Sequence, residues 1–297
     1  VMIKAKGYRD EQVKVVPSNR QSQDVKLVPK RKQPFISKRS GKYDLYKIDA
    51  AGKNEKLILP GTGTENESIG LVSHPDSEVV ALTSTRNNVR NKQGYILTTL
   101  SLVDLEDDSS TDVAQSEQVQ IIGWLGDRLL YVQIAAGASA SNPKRQRLIS
   151  YDYKKSDKIE LASSNNFNDV LLVGNKVYYS LSSPQPGFFV QSVDSKNRTT
   201  VIDKETWSIY RTSYSQLDIS VGQDWYKMQI GESTAKKEPN QPSSLTGRIY
   251  SDNADGTRSL WVDQRDGKGV LVLYDKDTDK EKALVSQAGL ENPVRWL

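Results

Sequence analysis

Residues 43–59 read Tyr43-Asp44-Leu45-Tyr46-Lys47-Ile48-Asp49, then Ala50-Ala51-Gly52-Lys53-Asn54, then Glu55-Lys56-Leu57-Ile58-Leu59. The arms follow a period of two, which sends successive side chains to opposite faces of an extended strand. The centre holds the glycine and small polar residues that turn a chain back on itself, so the segment is predicted as a β-hairpin. The unit returns at 99–114, 148–161, 188–202, in degenerate form at 224–230, and at 270–285. From start to start the steps are 56, 49, 40, 36 and 46 residues. A drifting period of roughly 45 residues is that of a propeller blade, and the 3.6-residue periodicity of a helical solenoid is missing.

Two further extended runs stand before several of these hairpins. Gly70-Leu71-Val72-Ser73 precedes Glu78-Val79-Val80-Ala81-Leu82-Thr83, Gln120-Ile121-Ile122-Gly123-Trp124 precedes Arg128-Leu129-Leu130-Tyr131-Val132, and Asp169-Val170-Leu171-Leu172 precedes Lys176-Val177-Tyr178-Tyr179. The members of each pair are joined by His74-Pro75-Asp76-Ser77, Leu125-Gly126-Asp127 and Gly174-Asn175. Those residues supply the positive or pre-set φ that tight turns require. Each repeat therefore holds four strands.

The last repeat runs Ile249-Tyr250-Ser251-Asp252-Asn253-Ala254-Asp255-Gly256, Ser259-Leu260-Trp261-Val262-Asp263-Gln264-Arg265-Asp266-Gly267, then Val272-Leu273-Tyr274-Asp275. The first has Phe35-Ile36-Ser37-Lys38-Arg39-Ser40-Gly41 before Asp44-Leu45-Tyr46, and the second has Ser73-His74-Pro75-Asp76-Ser77 before Leu82-Thr83-Ser84-Thr85-Arg86. These stretches resemble the WD-like repeat of TolB-type β-propellers, which is shared with the propeller halves of prolyl oligopeptidases. The resemblance covers about residues 33–297 and implies an all-β, six-bladed propeller of four-stranded blades over residues 35–297. Residues 1–28 resemble the closing strands of a PEGA module, carried by Gly7-Tyr8, Val13-Lys14-Val15-Val16-Pro17 and Gln23-Asp24-Val25-Lys26-Leu27-Val28. This implies a short β-sandwich remnant, with residues 29–34 as a linker.

Composition narrows the function classes. Hydrophobic residues are 36% of the 297 and mean hydropathy is −0.61, which suits many short strands with wet outer faces rather than a thick α/β core. Residues 1–42 hold twelve bases against three acids, a net of +9; the whole chain has 41 and 37, so the remainder holds 29 and 34 and is mildly acidic. The absence of cysteine removes disulfide frameworks, thiolate metal sites and cysteine nucleophiles. With one histidine, His74, multi-histidine zinc sites are excluded, and its place in a Ser-His-Pro-Asp turn predicts a turn residue. No G-x-S-x-G elbow, P-loop or G-x-G-x-x-G occurs, so no enzymatic activity, cofactor or metal is expected. Asp275, Asp277 and Asp279 are spaced two apart as in a calcium loop, and Asn253, Asp255 and Gly256 keep a similar step. The first lacks the glycine and distal glutamate, the second the leading aspartate, and both are predicted as hairpin turns.

Polar insertions at 87–93, 135–147 and 231–247 interrupt the repeats. The first two fall between the second and third strands of their blades, so both are expected at the same mouth of the propeller. They carry Arg90, Lys92, Lys144, Arg145 and Arg147 with no acid within either loop, a cationic rim on an acidic body. The resulting expectation is a monomeric, non-catalytic propeller of an exported, membrane-anchored bacterial protein, binding a protein or cell-envelope polymer and no nucleic acid. The alternative is a sensory or accessory propeller of a larger, peptidase-like enzyme. The chain starts and stops inside apparent strands, so it is expected to be a piece of a longer polypeptide that holds any anchor. Residues 293–297 are expected to close the first blade against residues 34–38.

Overall fold

The computed structural model describes residues 1–5, 7–14, 25, 27, 29–49, 52–66, 69–135, 137–240, 251–252, 257–275 and 277–287. At the start, β1 (Met2–Ile3) and β2 (Glu11–Gln12) form a two-stranded antiparallel sheet, and Tyr8 bridges Pro29. Six sheets follow, the six blades of a β-propeller. The first is β3 (Lys32–Ser37), β4 (Asp44–Asp49) and β5 (Lys56–Leu59); the second is β6 (Gly70–Ser73), β7 (Val79–Ser84), β8 (Thr98–Asp104) and β9 (Ser110–Ser116). The third is β10 (Val119–Leu125), β11 (Arg128–Ile134), β12 (Gln146–Asp152) and β13 (Asp157–Ser164). The fourth is β14 (Phe167–Val173), β15 (Lys176–Leu181), β16 (Gly187–Ser192) and β17 (Arg198–Ile202). The fifth is β18 (Ser208–Arg211), β19 (Gln216–Val221), β20 (Asp224–Gln229) and β21 (Lys236–Glu238). The sixth is β22 (Ser251–Asp252), β23 (Arg258–Arg265), β24 (Lys268–Asp275) and β25 (Lys280–Gln287). Strands pair in chain order, and no helix occurs among the described residues.

The chain forms two compact units, Val1–Val89 with Thr99–Gln115, and Arg90–Thr98 with Ser116–Leu297. Burial within a blade follows strand position. The second strands β7, β11, β15 and β19 are covered on both faces, while the fourth strands β9, β13 and β17 expose much of their length. That explains why β7, β11 and β15 read as unbroken runs such as Val79-Val80-Ala81-Leu82 and not as an apolar–polar alternation, whereas β19 alternates and buries its polar side as well. In the second unit Leu130, Val132, Leu148 and Leu161 pack with Val177, Tyr179, Leu181 and Phe189, joining the third blade to the fourth. In the first unit Leu45 packs with Val80, Leu82, Val103 and Leu105 in the same way. Each fully buried leucine contributes roughly 1.5–3 kcal/mol, so stability resides between neighbouring blades.

Local chemistry sets the turns. Leu125 pairs with Arg128 and Val173 with Lys176, leaving two-residue loops led by Gly126 and Gly174 at φ +50 and +56. A side chain there would be strained, and this hand of turn matches the strand twist. A register shift recurs between the last two strands of the first, third, fourth and sixth blades. Such a bulge bends the outer strand and sharpens its twist.

One expectation changes, and one pair of strands carries no expectation at all. Lys32, Gln33 and Pro34 belong not to a linker but to β3, opposite Asp49, Ile48 and Lys47. Proline is tolerated because β3 is an edge strand of its described sheet. Strands β18 and β19 match none of the extended runs predicted from the sequence. The expected closing strand 293–297, most of the 1–28 module's second half, residues 241–247 and residues 253–256 lie outside the described residues.

Candidate functional site

Strand direction gathers several segments of the second unit at one edge of its sheets. β10 starts at Val119 opposite Gln133, near the end of β11, and β12 starts at Gln146 opposite both Ile134 and Ser164. β14 starts at Phe167 opposite Leu181, and β18 starts at Ser208 opposite Ser220. Hydrogen bonds tie one blade to the next along this edge: the Phe167 amide donates to Gln146 Oε1 at 3.0 Å, and Asn168 Nδ2 to the Thr206 carbonyl at 2.8 Å.

The two expected loops meet here. Arg90 bridges Ile96 to close a hairpin tip, and the Asn91 side chain organises it, Oδ1 accepting from the amides of Gln93 at 3.0 Å and Tyr95 at 2.9 Å. Asparagine does this because its short side chain reaches backbone two residues on. Asn142 repeats the device in the 135–145 loop, where Oδ1 accepts from the Lys144 amide at 2.8 Å. Glu117 joins the loops: Oε1 accepts from Asn91 Nδ2 at 3.3 Å and from the Gly137 amide at 3.0 Å. Sequence reasoning missed Glu117 because it lies in neither loop but just before β10.

The five cations do not form one row. Lys92 and Lys144 are exposed, Arg145 is half-buried, and none of the three has a carboxylate within 4 Å among the described residues. Arg90 is exposed and folded back, donating to the Gly94 carbonyl at 2.7 Å. Arg147 lies inside β12, half-buried, 3.9 Å from Glu160. It belongs to the blade and not to the rim. Beside it burial pushes the Tyr131 phenol up to about 12, although the guanidinium charge pulls the other way.

The first unit places its candidates in structural bonds. His74 is buried, and its Nδ1 accepts from the amides of Asp76 at 2.9 Å and Ser77 at 3.0 Å, which makes it the organiser of its turn. Arg31 of the basic segment donates to the carbonyls of His74 and Pro75. Lys32 donates to the Leu105 carbonyl at 2.8 Å. In the sixth blade the aspartates diverge: Asp275 accepts from Arg258 Nε at 3.0 Å and from the Thr278 amide at 3.1 Å, while Asp279 accepts from Tyr274 at 2.7 Å. The Thr278 amide, ahead of the Arg258 charge, holds the Asp275 carboxyl below its ordinary range. No group of three metal-ligating side chains occurs among the described residues.

Further along the same edge, Asn166, Phe167, Asn168, Glu205 and Trp207 line an open concavity of about 550 Å³. The only sequence signal for it is a tryptophan in the otherwise polar connection between β17 and β18.

No protein-family model and no curated protein matches the sequence. Among solved structures the chain is similar to an uncharacterized protein from Listeria monocytogenes EGD-e, at 13% identity over 90% of this chain and 83% of that one, with a TM-score of 0.52. It is also similar to the β-propeller domain of the Trilobed protease from Pyrococcus furiosus, at 13% identity over 86% and 78%, TM-score 0.51. TolB from Acinetobacter baumannii aligns at 12% identity over 83% of this chain and 61% of that one, with a TM-score of 0.42. At such identities the likeness is one of fold, and propellers host many functions.

Proposed function

We propose that this chain is a non-catalytic propeller that acts by binding, at a cell surface, and that its partner docks on the edge formed by the 90–96 and 135–145 loops. The observation that carries this reading is the Glu117 junction. One carboxylate fixes two insertions of different blades side by side, while Lys92, Lys144 and Arg145 stay without carboxylate partners among the described residues. Exposed cations on a mildly acidic body attract an anionic surface, and the attraction weakens with salt. An anionic envelope polymer or an acidic protein face has the matching chemistry. The test is retention on immobilised long-chain polyphosphate, standing in for such a polymer, with Lys92, Lys144 and Arg145 reversed to glutamate. Binding should fall about tenfold or more at low salt, with unchanged melting. Retention by the reversed protein at low salt would overturn the reading.

A further inference from the structure

From the concavity beside β18 we infer a second binding site, for a neutral saccharide, with Trp207 as the platform and Asn166, Asn168 and Glu205 as its polar contacts. It rests on different residues from the cationic rim and stands or falls independently of it.

The anchor is rigid. The Trp207 amide donates to the Ser220 carbonyl at 2.9 Å, and the neighbouring Thr206 is fully buried. Trp207 nevertheless remains 59% exposed, so a fixed backbone presents a large apolar side chain to water. Covering it is favourable for any ligand with a flat apolar side. The polar groups around it are already ordered. Asn166 Oδ1 accepts from Gln146 Nε2 at 3.2 Å, and Asn166 Nδ2 donates to Asn168 Oδ1 at 2.7 Å. Asn168 Oδ1 also accepts from Ser182 Oγ at 2.8 Å, while Nδ2 reaches the Thr206 carbonyl. Each amide nitrogen thus keeps one N–H for a ligand. Glu205 is exposed and makes no hydrogen bond or ion pair with a described residue, which leaves its carboxylate oxygens as acceptors.

A ligand for this surface needs a broad C–H face for the indole, and hydroxyls that accept from amides and donate to a carboxylate. A pyranose ring has both. A cationic side chain would suit Trp207 and Glu205 but would meet the two amide donors head on. An acidic sugar would face Glu205. The open, shallow shape suits an internal stretch of a chain more than an enclosed small molecule.

The experiment follows the Trp207 indole N–H resonance in labelled protein, assigned with Trp207→Phe. The probes are neutral hexasaccharides of β-1,4-linked glucose, N-acetylglucosamine and mannose, and of α-1,4-linked glucose. At least one should shift the resonance saturably, with a dissociation constant in the range of about 0.1–10 mM usual for few contacts. Trp207→Ala should abolish binding measured calorimetrically without lowering the melting temperature, and Glu205→Gln should weaken it about tenfold. Reversal of Lys92, Lys144 and Arg145 should leave it unchanged. Absence of any shift with all four sugars, or binding that survives Trp207→Ala, would overturn the site. So would a salt-dependent shift produced by hexalysine and by no sugar.

Discussion

Cations of the first unit resemble in sequence those along the edge of the other unit, yet the two groups differ in what they meet. Lys47 is buried, and its ammonium donates to the Leu105 carbonyl at 2.6 Å and to Asp108. Lys32 joins it on Leu105, Lys56 on Asp108, and Arg31 holds the turn at His74 and Pro75. Lys92, Lys144 and Arg145 have no such anchors. A buried charge with a lost partner carries the desolvation cost of both groups, whereas an exposed one returns to water at almost none. Arg31 and Lys32 of the basic segment are therefore structural, while Lys92, Lys144 and Arg145 keep no carboxylate among the described residues.

Lys47→Met gives the most direct way to break that contrast. Methionine keeps the aliphatic volume but removes the ammonium, and urea unfolding should show a loss of about 2 kcal/mol. A cost no larger than that of an exposed lysine would erase the distinction. Acid sharpens it next. Desolvation raises the Asp108 pKa, but hydrogen bonds and charge from Lys47 and Lys56 outweigh it, and the net shift is downward. A carboxyl depressed in the folded state contributes stability that is complete above its unfolded value of about 4 and is lost as pH falls through the folded one. Asp108→Asn should flatten the acid limb of a melting profile, and Lys144→Ala should leave it unaltered.

Glu117→Ala should cost about 1 kcal/mol and speed amide exchange at Gly137 and at the 90–96 tip, because one acceptor holds both loops. Unchanged exchange would mean that the loops keep their positions without it. The smallest effect is expected for Lys144→Ala, within about 0.5 kcal/mol of the parent in urea. Polyphosphate retention should nevertheless drop in that variant.

Much of this architecture is legible in the chain itself. The hairpins at 43–59, 99–114, 148–161, 188–202 and 270–285 all appear as adjacent outer strands of their blades, because strand alternation and turn residues act over a few positions and need no distant partner. His74 reads as a turn residue for the same local reason. β19 also alternates, with Leu217, Ile219 and Val221 against Gln216, Asp218 and Ser220, but no turn motif precedes β18 to mark a blade. Its polar face is buried too, with Asp218 accepting from Gln216 Nε2 at 3.1 Å.

Tertiary structure alone decided the sites. Asn91 and Gly137 lie 26 and 20 residues from Glu117 and meet it only when sheet edges align. Arg31 and His74 are 43 apart, and no local pattern says that a basic segment will be held by a turn so far along the chain. Likewise Trp207 is exposed beside a fully buried Thr206, a difference that no local pattern announces. Periodicity is a property of neighbours in the chain, and so the sequence determines the blades; partner choice is a property of neighbours in space, and so only the fold separates the cations that hold the protein together from those left without a carboxylate among the described residues.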